Sequence, residues 1–191
     1  MRTALVNAMS SQQPYVTTSD GKRQFACSPV AVLVFIINEE EKVLLLAHPK
    51  RRGAWEVVNG ALEAGETVLA CALREAGEEA GPQVRLRPLG VLHAATFYFD
   101  PSVQYMISLC YVMAYEGGPI QPGDDMAGSA FRWWSVAELA DESARLIVPP
   151  DQKWLVRRAI EVYRLWKDEQ VVLQREIRLE DGNKYTLQEK G

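Results

Sequence analysis

Residues 60 to 82 read GALEAGETVLACALREAGEEAGP, and within them Leu69, Ala72, Leu73, Ala76 and Ala80 fall at i, i+3, i+4, i+7 and i+11. That spacing predicts a helix from Glu66 to Ala80 with one narrow apolar stripe. Gly81 and Pro82 end it, glycine by tolerating the left-handed cap and proline by refusing to continue the hydrogen-bonded ladder. On the same helix Glu75, Glu78 and Glu79 stand at i, i+3 and i+4, so their carboxylates project into one small volume. Like charges at this spacing destabilise a helix by roughly 0.2–0.5 kcal/mol per pair. A bound divalent cation is a natural reason to carry three of them, and oxygen-only ligands favour magnesium or manganese. An isolated cluster of this kind also fits a solvated helix face, so the surroundings must decide.

Upstream, Val30 to Ile37 is a continuous apolar, β-branched run stopped by Asn38, which suits a strand buried on both faces. Val43 to Ala47 continues the sheet, and Trp55 to Val58 makes a short strand before Asn59-Gly60. Between them Lys50, Arg51 and Arg52 lie in a loop that is either a solvated turn or a phosphate contact. Downstream, Val84 to Phe99 and Gln104 to Tyr115 read as strands joined around Asp100-Pro101-Ser102, and Phe131 to Trp134 as a further one. After Pro149-Pro150, Leu155, Ala159, Val162, Tyr163 and Trp166 recur at helical spacing, with Asp151 as the cap and the aromatics as packing residues. Hairpins are expected at both termini, about 16–28 around Asp20-Gly21 and about 175–188 around Asp181-Gly182, and the two could pair.

The chain has 191 residues, 48% apolar and 24% charged, which suits one domain with a sizeable core. A net charge of −4 argues against a nucleic-acid polymer or an anionic membrane as partner, while leaving room for a local basic patch. Cys27, Cys71 and Cys110 are widely spaced among apolar neighbours and read as buried thiols of a reducing compartment. With no leader-like or 18-residue apolar run, a cytoplasmic location is expected.

The stretch from Gly60 to Pro82, with Gly60, Glu66, Arg74, Glu75, Glu78, Glu79 and Gly81 at fixed spacing, resembles the Nudix box, GX5EX7REUXEEXGU. Seven such matches arise by chance on the order of once in a million sequences of this length. The resemblance covers a core of about 30–166 and implies an α+β fold, an α/β/α sandwich around a mixed central sheet. It also implies metal-dependent hydrolysis of a phosphoanhydride in a nucleoside diphosphate linked to another moiety. Glu75, Glu78 and Glu79 would then hold magnesium or manganese, with a backbone carbonyl of Asn59 or Gly60 completing the site. Arg74 would orient one glutamate, and Glu66, at the expected helix start, would be structural.

The family's later acid falls on Ala127 in this chain, which leaves Asp124 and Asp125 nearby, Asp125 being the candidate base. Val58 and Asn59 replace the family's usual proline and glycine, and Pro82 replaces an aliphatic residue. His93, Phe97, Tyr98 and Tyr105 could line a base-stacking pocket but read mostly as core, and His48 reads as an ordinary surface histidine. A nucleotide-binding sensor without catalysis is the alternative function, and an isomerase is disfavoured for want of an acid-base pair. Exposed hairpin edges offer a route to a homodimer.

Overall fold

The computed structural model describes residues 14–141, 145–150 and 152–169, together with the backbone of 176–180 and 184–188. In chain order the strands are β1 (Tyr15–Thr17), β2 (Gln24–Ala26), β3 (Val30–Ile37), β4 (Val43–Ala47), β5 (Ala54–Glu56) and β6 (Val58–Ala61), followed by α1 (Val68–Glu79). Then come β7 (Arg85–Tyr98), β8 (Tyr105–Gly117), β9 (Phe131–Trp134), α2 (Val136–Ala140), β10 (Arg145–Val148), α3 (Lys153–Trp166), β11 (Glu176–Glu180) and β12 (Lys184–Gln188).

Eight of the described strands form one mixed sheet in the order β10-β5-β4-β3-β8-β7, with β6 also paired to β3 and β9 to β4. The β3–β8 and β10–β5 pairs are parallel, and the others are antiparallel. β3 lies at the centre, and from Val32 to Ile37 it is buried on both faces. Its alternation divides the core. Val32, Val34 and Ile36 pack with Cys71, Ala72, Ala76 and Ala80 of α1 and its C-cap, while Leu33, Phe35 and Ile37 pack with Leu155, Val156, Ala159 and Ile160 of α3. Successive side chains of a strand point to opposite faces, so one eight-residue strand glues both helical layers to the sheet. The α+β sandwich expected from the resemblance is the architecture found.

Several local expectations need correction. Trp55 to Val58 is not one strand. β5 pairs with β4 and β10 while β6 pairs with β3, so the chain changes partners at Val57, whose N–H bonds Val148 O at 3.1 Å. Helix α1 starts at Val68 rather than Glu66, because the Thr67 hydroxyl accepts the Ala70 N–H at 3.2 Å and so caps it. Gln152 takes the cap position of α3, and Asp151 lies outside the described residues. Tyr163 is in the core as expected, but Trp166 is exposed. Cys71 and Cys110 are buried, whereas Cys27 is exposed on its hairpin. The terminal hairpins are β1–β2 and β11–β12, each a separate two-stranded sheet, so they do not pair with one another. The turn at Asp181-Gly182 lies outside the described residues. No described helix is long and apolar enough to cross a membrane.

Candidate active site

The site forms where α1 crosses β6. Ala72, Ala76 and Ala80 of the expected stripe are buried with Cys71, whereas Leu73 is exposed, and this orientation rotates Glu75 and Glu79 inward while Glu78 stays exposed. Among the described residues the only buried charged side chains are Glu56, Glu75 and Glu79. Two of these three were expected from the sequence. Glu56 was not, although it follows Trp55 directly, so the alternation of a strand with two buried faces could have pointed to it.

Arg74 organises the helix side. Its Nε donates to Glu66 Oε1 at 2.9 Å, one terminal nitrogen donates to Glu75 Oε1 at 2.8 Å and Glu78 Oε2 at 2.9 Å, and the other donates to Ala61 O at 3.1 Å and Glu66 Oε2 at 3.2 Å. Glu66 also accepts the Glu63 N–H at 3.2 Å. It therefore ties the loop before α1 to the helix through Arg74, from a position two residues ahead of the first helical residue. The hydrogen bonds from Arg74 are the largest cause holding the Glu66 carboxyl below its ordinary range.

On the inner side, Glu79 Oε2 accepts the Asn59 N–H at 2.9 Å, and the Asn59 side-chain amide donates to Val57 O at 2.9 Å. The strand break at Val57 is thus braced by Asn59, which also fixes the innermost carboxylate. Desolvation pushes the Glu79 carboxyl up to about 8, opposed by the Asn59 N–H and aided by Asp125, Glu56 and Glu75. Glu75 and Glu56 are raised for the same first reason, with Arg74 counteracting it at Glu75 and His48 at Glu56. Gly60 leaves room for Glu75: a Cβ there would lie 1.9 Å from the Glu75 carboxyl carbon, so the carboxylate would have to move.

Asp125 sits on a single 3-10 turn, Asp124–Met126, whose loop is docked on the C-terminal end of α1 by Gln121 N–H to Ala80 O at 2.8 Å. Its charge adds to the upward push on the Glu79 and Glu56 carboxyls. The aromatic candidates behave differently. His93 stacks edge-on against Trp154 at 5.3 Å, and Phe97, Tyr98 and Tyr105 are exposed rather than core residues.

As they stand, no three described His, Cys, Asp or Glu side chains converge tightly enough to hold a metal. The donor chemistry nonetheless fits a hard divalent cation. Buried carboxylates raise one another's affinity for protons, and a cation relieves the same repulsion by replacing the proton. Glu75, packed against the Gly60 backbone, and Glu79, bonded to Asn59, bring carboxylate oxygens beside the strand backbone that was expected to supply a carbonyl.

A profile of the NUDIX domain matches residues 28–157. The chain is 32% identical over 121 residues to the NAD-capped RNA hydrolase NudC of Vibrio atlanticus, covering 62% of this chain and 40% of that protein. Its identity to the protein of the same name from Photobacterium profundum is 30% over 108 residues, 56% of this chain and 38% of that one. The chain therefore spans about two fifths of the length of these curated relatives. In fold it is similar to a NUDIX-family hydrolase from Clostridium perfringens, with a TM-score of 0.56 at 20% identity over 71% of this chain and 96% of that one.

Proposed function

The chain belongs to the NUDIX domain family, and from that premise we propose that it hydrolyses a phosphoanhydride bond in a nucleoside diphosphate linked to another moiety. The observation that carries the proposal is the inner acid group. Glu79 and Glu75 are buried against the Asn59-Gly60 backbone, with Glu56 and Asp125 beside Glu79. Such crowding is costly for a fold and useful for chemistry on anionic phosphate.

Glu75, Glu78 and Glu79 would hold magnesium or manganese, with a backbone carbonyl of Gly60. When bound, the cation supplies charge neutralisation on the phosphate oxygens and acidifies a coordinated water. The protein's own part is positioning. Arg74 orients Glu75 and Glu78 by charge-assisted hydrogen bonds, and Asn59 holds Glu79. The proton of the attacking water passes to a carboxylate that is not engaged as a ligand, and Glu56 and Asp125 are the acids next to Glu79 that do not belong to α1.

The test is Glu79→Gln, assayed with magnesium against nucleoside triphosphates, dinucleoside polyphosphates, nucleotide sugars, ADP-ribose, NAD and NAD-capped RNA, with release of orthophosphate, pyrophosphate or monophosphate followed. Turnover by the wild type and its loss in a folded Glu79→Gln support the hydrolase. Wild-type silence across the panel, with nucleotides still bound, points to a sensor. In the same reading the substrate is a small nucleotide-like molecule, the protein acts in the cytoplasm, and two copies pair through a free edge of a terminal hairpin. Light scattering at monomer mass would reject the pairing.

A further inference from the structure

An active site built from acids must still receive an anion, and Arg74, the cation among the acids, is already committed to them. A guanidinium has five N–H donors. Those of Arg74 are spread over Glu66, Glu75, Glu78 and the Ala61 carbonyl, with Cys71 Sγ a further contact at 3.6 Å. Arg74 therefore has no donor left for a substrate diphosphate brought against Glu56, Glu75 and Glu79, and any protein cation that meets it comes from another element.

The turn between β4 and β5 supplies one. Lys50, Arg51 and Arg52 follow one another there, exposed, and none forms an ion pair among the described residues. The turn is well tied. His48 N–H bonds Ala54 O at 2.9 Å, Ala54 N–H bonds Arg51 O at 3.0 Å, and Lys50 N–H bonds His48 Nδ1 at 3.0 Å. With Nδ1 accepting that bond, Nε2 is the ring nitrogen that remains to donate. The register Leu46↔Glu56 and Ala47↔Trp55 sets the turn directly over the start of the acid row, and the charges of both His48 and Arg51 reach the Glu56 carboxyl. Glu56 in turn adjoins Asn59, which holds Glu79. Cation and acid thus lie on one continuous line through β5 and β6.

We propose that Arg51, with His48 beside it, is the anion subsite of this active site and holds the diphosphate oxygens of a nucleoside diphosphate derivative opposite the glutamates. The proposal deepens the hydrolase reading and rests on the same site. A solvated turn of three basic residues would be indifferent to phosphate. A subsite would bind it with a salt dependence that disappears with Arg51.

The probe is α,β-methylene-ADP, which has no cleavable anhydride, titrated calorimetrically in magnesium buffer at two ionic strengths. Arg51→Ala should raise Kd about tenfold, or about 1.4 kcal/mol, and flatten the salt dependence. Arg51→Lys should recover part of the loss. Lys22→Ala, which removes an equal charge at an exposed site on the N-terminal hairpin, should bind like the wild type. Equal Kd values for Arg51→Ala and Lys22→Ala, or no binding by the wild type, would overturn the subsite. If the wild type cleaves nothing yet loses analogue binding with Arg51→Ala, the hydrolase reading falls and the subsite stands. If the wild type cleaves and Arg51→Ala leaves both KM and analogue binding unchanged, the subsite falls alone.

Discussion

Replacing Gly60 with alanine is the sharpest perturbation of the candidate site. The new Cβ would lie 1.9 Å from the Glu75 carboxyl carbon and 2.0 and 2.3 Å from its two oxygens. Unbonded carbons rest at about 3.5–4.0 Å, so the carboxylate must retreat by roughly 2 Å. Gly60 is not among the glycines in the left-handed region, so alanine adds no backbone strain and the displacement of Glu75 is the main cost. Retreat breaks or lengthens the 2.8 Å bond from Arg74 to Glu75, and a hydrogen bond to a charged group contributes about 1.5–3 kcal/mol. Misplacing a catalytic group by about 1 Å costs on the order of 100-fold in rate, which is roughly 2.7 kcal/mol at 1.36 kcal/mol per decade. On the second figure kcat/KM should fall about 100-fold with the circular dichroism spectrum unchanged. Gly77→Ala is the matched control. It lies on the same helix with nothing within 4 Å of the added methyl, so activity should hold while stability rises by about 0.5–1 kcal/mol. Initial rates on the best panel substrate decide the matter. A folded Gly60→Ala within threefold of wild type would refute the claim that Glu75 must sit against Gly60.

Two further outcomes follow from charge and burial away from the site. Ser135 caps α2, and Glu138 accepts both the Ser135 N–H and hydroxyl at 2.8 Å, which are the main causes holding its carboxyl near 2 against an ordinary 4.5. A lowered folded pKa means that the stabilisation is complete above pH 4.5 and is lost as pH falls towards 2. Thermal melts of the wild type should therefore decline more steeply across that window than those of Glu138→Gln; parallel curves would contradict the cap. Burial pushes the Cys71 and Cys110 thiols up to about 11, while Cys27 is exposed. Iodoacetamide should label Cys27 alone in the folded protein and all three in denaturant, as peptide mass mapping would show.

The parts that were legible in the sequence are those set by local pattern. β3, β4 and β9 have the expected limits because each is an apolar or aromatic run closed by turn residues. α1 ends where Gly81 predicts, with φ at +125°, although its start slipped by two residues because Thr67 takes the cap position. What escaped depends on pairing between distant segments. β10 was missed because Arg145–Val148 becomes a strand only by lying parallel to β5. The break at Val57 was missed because nothing in Trp55-Glu56-Val57-Val58 says that its two halves have different neighbours. α2 was readable in principle from Ser135 and Glu138, a capping box three residues apart, but five residues leave no periodicity to read.

The same distinction explains why the box alone under-described the site. Spacing along a helix can say that Glu75 and Glu79 share a face, yet it cannot say what that face meets. It meets a strand whose partner switch at Val57 turns Glu56 inward and exposes the Asn59 N–H to Glu79. Asparagine at this position, where the family has glycine, is not forced by backbone geometry, since Asn59 is not among the residues with positive φ. Its side chain instead bonds back to Val57 O and secures the switch. The acid group is thus a joint product of two surfaces, helical periodicity on one side and a change of strand partner on the other. A substitution that left every box residue intact but restored a continuous strand through Val57 would dismantle it.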